Sequence, residues 1–170
     1  MRPIVWIVVG WFGNSLLAAL GLRLAPSYVE PSLAVVIVTF LALRREPLLL
    51  AVISVAIGYG VGRLDLAPTG LNECALLLTG LGVYVVSGQL AGTGAIFTAF
   101  VSGGALVGYH LLLLLFLQVF RGQAEFSSWA TALLFPSAMA TSILSLLTYR
   151  PMLWLDQVLS PSRREGLDWR

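Results

Sequence analysis

Gly58-Tyr59-Gly60-Val61-Gly62-Arg63-Leu64-Asp65, with the turn Ala67-Pro68-Thr69-Gly70-Leu71-Asn72-Glu73 after it, is the stretch on which the reading of the chain turns. On a helix, Ser54, Gly58, Gly62 and Asp65 recur at intervals of four, four and three residues, so the small side chains and the carboxylate share one face. Hydrocarbon gives apolar helices no hydrophobic reason to associate, and small residues four apart allow the close backbone contact that replaces it. Asp65 then sits at the mouth of that contact, facing protein or water, because a carboxylate turned into lipid costs several kcal/mol.

Working outward, the composition fits a membrane domain. The 170 residues are 58% hydrophobic and 11% charged, with a mean hydropathy of +0.91. Several apolar runs exceed the roughly 18 residues that mark a membrane span, and in lipid only helices or closed barrels satisfy the backbone. Long runs without alternation exclude a barrel. The expected fold is therefore an all-α polytopic membrane protein, a compact bundle of six transmembrane helices over residues 1–150, followed by an interfacial segment and cytoplasmic tail over 151–170. The net charge of +2 is too small and too scattered for a nucleic-acid partner, and the single cysteine, Cys74, excludes an internal disulfide and a cysteine-rich metal site.

The first span, Ile4–Leu22, places Gly10, Asn14, Ala18 and Gly21 on one face, and Asn14 is expected to point into the bundle, where its amide finds a partner. The second, about Ser32–Leu43, covers only about 18 Å. It carries no small-residue stripe and is expected at the edge of the bundle, against lipid or a partner helix. Arg44-Arg45-Glu46-Pro47 reads as a cytoplasmic turn, with Arg44 and Arg45 available to a filament or to anionic lipid. Spans three (Pro47–Leu64) and four (about Asn72–Gly92) form a tight hairpin, since Gly80, Gly88 and Gly92 continue the small-residue spacing. Gly70 belongs to the turn, and Asn72 or Thr69 is the expected helix cap.

Span five (about Ala95–Phe120) holds Gly104 and Gly108 for packing, the only histidine, His110, and a lipid-facing run Leu111–Leu117. Span six runs to about Tyr149, with a kink expected at Pro136 and a hydroxyl stripe of Ser137, Thr141 and Ser145. Met152–Leu159 reads as a short, separate interfacial helix. With the N-terminus inside, seven arginines fall on the cytoplasmic side and three outside, which orients both termini toward the cytoplasm.

No two carboxylates sit at the spacing of an acid/base or metal pair, and His110 has no neighbouring acid or second histidine. No enzymatic activity, cofactor or metal is expected. Asn14 and His110 remain as intramembrane polar residues, and any such group is a functional candidate.

The double-basic turn Ala42-Leu43-Arg44-Arg45-Glu46-Pro47 and the run Gly58…Gly62…Asp65…Gly70-Leu71-Asn72…Ala75-Leu76 resemble the rod-shape-determining protein MreD family, small bacterial inner-membrane proteins. The resemblance covers most of the chain and departs from the family at Arg63 and in the shorter segment from Asp65 to Gly70. It implies a non-enzymatic subunit of the cell-elongation machinery, in the bacterial inner membrane. Such a subunit binds MreC and links it to MreB filaments and to peptidoglycan synthesis by RodA and its penicillin-binding transpeptidase. The family is also similar to the S components of energy-coupling-factor transporters, which supplies the alternative of a substrate-binding subunit of a vitamin transporter.

Overall fold

A computed structural model describes residues 2–24, 31–44, 46–64, 70–88, 94–121 and 128–159. They form six helices: α1 (Arg2–Leu24), α2 (Leu33–Ala42), α3 (Pro47–Leu64), α4 (Leu71–Ser87), α5 (Ala95–Arg121) and α6 (Ser128–Leu159). There is no strand among the described residues, and the fold is all-α.

The bundle is built around its shortest helix. All ten residues of α2 are buried, and α2 touches each of the other five helices. The expectation of an edge position is thus overturned. A helix enclosed on every side needs large apolar side chains all round rather than one small-residue stripe, and Leu-Ala-Val-Val-Ile-Val-Thr-Phe-Leu-Ala supplies them. Trp6 of α1 packs on Phe40 with ring centroids 5.8 Å apart, and Phe40 meets Tyr149 of α6 edge-on at 6.1 Å. Ser32 caps α2, accepting from Val35 N–H at 3.3 Å, while its own N–H donates to Thr141 Oγ1 of α6 at 3.2 Å. The hydroxyl stripe on α6 is therefore interior: Ser137, Thr141 and Ser145 are all buried. Thr141 holds the start of α2, and Ser145 accepts from Ser102 of α5 at 3.2 Å.

Neighbouring helices alternate in direction. Trp6 lies by Phe40, and a Cβ on Gly13 would strike Leu33, so α1 and α2 are antiparallel. Gly58 meets Glu73 and Gly80 meets Ser54, which sets α3 against α4 in the same sense. The contacts Ser32 to Thr141 and Arg44 to Tyr149 make α2 and α6 parallel, as alternation through six helices demands.

Two helix ends differ from expectation. Gly70, at φ +95°, is the N-cap of α4 and makes no side-chain cap bond. This left-handed conformation is one that glycine adopts without a Cβ penalty. Asn72 lies inside the first turn and is buried; Thr69 is outside the described residues. At the other end of the chain, α6 runs unbroken through Pro136 and Pro151 to Leu159, so Met152–Leu159 is not a separate helix. A proline inside a helix forfeits one backbone bond. Beyond Pro151 the chain stays helical because Met152 is buried and Leu153, Leu155 and Leu159 pack on the core.

The outward surface is apolar at helical spacing. Ile4, Val8, Phe12 and Leu16 on α1, Leu111, Leu115 and Val119 on α5, and Phe135, Met139, Ile143 and Leu147 on α6 are exposed, each set stepping by four. Leu112, Leu113 and Phe116 turn inward onto the core, so only part of Leu111–Leu117 faces out. By length and composition, Ala95–Val119 can cross a membrane: it has 25 residues with a hydropathy of 2.0, and 28% of its most apolar window is buried. Among the described residues it is the one helix that meets both conditions; the apolar stretches Pro3–Ala19, Leu33–Ala42, Pro47–Arg63 and Leu71–Ser87 are shorter.

Candidate functional site: the α3–α4 hairpin and its surroundings

The hairpin brings Ser54, Gly58, Gly62 and Gly80 together. A Cβ on Gly58 would lie 2.7 Å from Glu73 Cα and 3.0 Å from Asn72 O, so here backbone packs on backbone. At Gly80 it would meet Val38 Cγ1 at 2.8 Å and Ser54 Oγ at 3.2 Å, so this glycine seats both α2 and α3. Gly62 is looser: a Cβ there would sit 3.4 Å from Asn72 Nδ2, an ordinary contact. Ser54 is fully buried and its hydroxyl has no hydrogen-bond partner among the described residues, so at this position it serves as a small residue.

Other glycines selected on spacing do not pack. Gly88 is exposed at the end of α4, with only carbonyls of its own turn near. Gly104 and Gly108 have nothing within 4 Å of a Cβ position among the described residues; with Gly82, Thr79 and Ala105 they line an open groove of about 430 Å³ between α4 and α5. The packing glycine of α5 is Gly103, one residue earlier, where a Cβ would collide with Ser142 Oγ of α6. Asp65, Arg45 and Gly92 lie outside the described residues.

At the α4 start, Tyr109 OH of α5 donates to Asn72 Oδ1 at 2.9 Å, and both residues are buried. Asn72 Nδ2 and Glu73 Oε2 have no hydrogen-bond partner among the described residues. Half of the Asn72 amide is thus satisfied by a single hydroxyl from the next helix. Tyr109→Phe leaves the whole amide unpaired, and an orphaned buried group costs about 1–3 kcal/mol. Thermal unfolding of the purified protein should show that loss, and an unchanged midpoint would count against the bond. His110 stands edge-on to Tyr109 with centroids 5.5 Å apart, and its Nδ1 lies 3.0 Å from Leu106 O. A carbonyl only accepts, so this contact requires the tautomer protonated at Nδ1. Asn14 is half-buried on α1.

Arg44, expected to touch a filament or anionic lipid, is half-buried: its guanidinium lies 4.9 Å over the Phe40 ring and 5.9 Å from the Tyr149 ring, and it donates to Tyr149 OH at 3.2 Å. The planar cation stacks on one ring and bonds the hydroxyl of the other, which ties the end of α2 to α6.

Sequence reasoning missed the α1–α3 contact. Trp11 Nε1 donates to Ala56 O at 2.8 Å, with the indole lying across Gly60, where a Cβ would collide with the ring. A Cβ on Gly10 would likewise lie 2.8 Å from Ile57 Cδ1. Nothing in spacing relates Trp11 to Ala56, 45 residues further along the chain; the signal that could have found the contact is Gly60, which lies between Gly58 and Gly62 but on another face of the helix. Trp11→Phe removes the bond and should lower stability by about 0.5–1.5 kcal/mol. Gly60→Ala should cost more in the wild type than in a Trp11→Ala background, and equal costs in the two would refute the contact.

Among the described residues there is no group of three His, Cys, Asp or Glu side chains that could hold a metal ion. The polar bonds that cross between elements, Ser102 to Ser145, Tyr109 to Asn72, Trp11 to Ala56, Ser32 to Thr141 and Arg44 to Tyr149, join helices, while hydroxyls such as those of Thr79 and Ser142 bond carbonyls of their own helix. No family model, no curated protein and no solved structure matches this chain.

Proposed function

We propose that this chain is a multi-pass inner-membrane subunit of the bacterial cell-elongation complex, similar to the MreD family, that works by helix contacts and performs no reaction. All six helices span the bilayer in this reading, with the N- and C-termini in the cytoplasm. The observation that carries it is the division of the bundle. Large apolar side chains step by four around the outside of α1, α5 and α6, while Ser102, Ser145, Thr141, Asn72 and Tyr109 bond to one another or to backbone inside. An outside that is apolar on several faces is matched to lipid and to membrane-embedded partners. The double-basic turn, the glycine-spaced third helix and the Gly70-Leu71-Asn72 turn supply the resemblance that points to MreC, and through it to MreB filaments, RodA and its penicillin-binding transpeptidase.

The alternative, a vitamin-binding transport subunit, asks for several polar groups converging on a cavity. The groove between α4 and α5 is lined instead by leucine, valine, alanine and glycine with Thr79 and Ser87. The test is purification of tagged protein from bacterial membranes, followed by identification of what stays bound. Co-purification of MreC supports the proposal; recovery of an ATPase module with a vitamin overturns it in favour of the transporter. Carbonate extraction of the same membranes checks the simpler part, since release into the supernatant would end the multi-pass reading.

A further inference from the structure

We draw no further inference here: the strongest candidate, the apolar groove between α4 and α5 floored by Gly82, Gly104 and Gly108, carries none, because nothing in the structure shows what covers it.

Discussion

Gly58→Ala lowers the thermal stability of the detergent-purified protein far more than Gly62→Ala, Gly104→Ala or Gly108→Ala. The reason is what each new methyl meets. At Gly58 it lies 2.7 Å from Glu73 Cα and 3.0 Å from Glu73 N, and backbone atoms cannot swing aside as a side chain does. The two helices must move apart along their whole line of contact, loosening Ser54 against Gly80 further down. Overpacking of this kind costs about 1–3 kcal/mol, and more where nothing can yield. Against a total stability of about 5–15 kcal/mol, that is a large share. Gly58→Leu should leave little folded protein. At Gly62 the methyl makes an ordinary contact, and at Gly104 and Gly108 it meets open space. There the helix preference for Ala over Gly, about 1 kcal/mol, is the larger effect and should leave stability unchanged or slightly raised. Equal melting temperatures for Gly58→Ala and Gly104→Ala would show that α3 and α4 are not in backbone contact.

The second result concerns α2. Ile37→Asp should abolish accumulation of folded protein, because Ile37 is wholly buried at the centre of a helix that every other helix touches. A carboxylate there has no partner within an apolar shell, and an unpaired buried ion costs several kcal/mol. Ile37→Ala, which leaves a cavity instead, should cost about 2–5 kcal/mol. Phe100→Ala is the control: the ring is 83% exposed, and its loss should change stability by no more than about 0.5 kcal/mol. Unfolding midpoints in detergent, with size-exclusion profiles for the aspartate variant, measure all three. A mild Ile37→Ala would return α2 to the periphery.

The glycines show how far pattern alone reaches. Ser54, Gly58 and Gly80 could be selected because spacing by four on two adjacent helices, joined by a short turn, leaves them few other places to go. In α5 the same rule selects Gly104 and Gly108, yet Gly103 carries the contact with Ser142. Adjacent residues differ by about 100° around a helix. With Gly103 and Gly104 side by side, only the position of α6 decides which of them is covered. Arg44 is similar: a double-basic turn marks a helix end, but Phe40 and Tyr149 lie one turn away and on another helix, respectively, and their stacking on the guanidinium is a tertiary event.

By itself, then, the sequence determined that the fold is all-α and where most of the described helices begin and end. Length, proline placement and unalternating apolar runs are local properties, legible without knowing what each segment packs against. Only the tertiary structure decided which helix lies at the centre, which glycines are covered and which polar groups pair. The physical reason is that a side chain on the outside of this bundle and one facing another helix are both apolar. Hydropathy cannot separate the two in a chain like this, so Val36 and Val38 at the core read the same as Val8 and Val52 at the rim. What distinguishes them is the partner, and the partner is supplied by residues far along the chain.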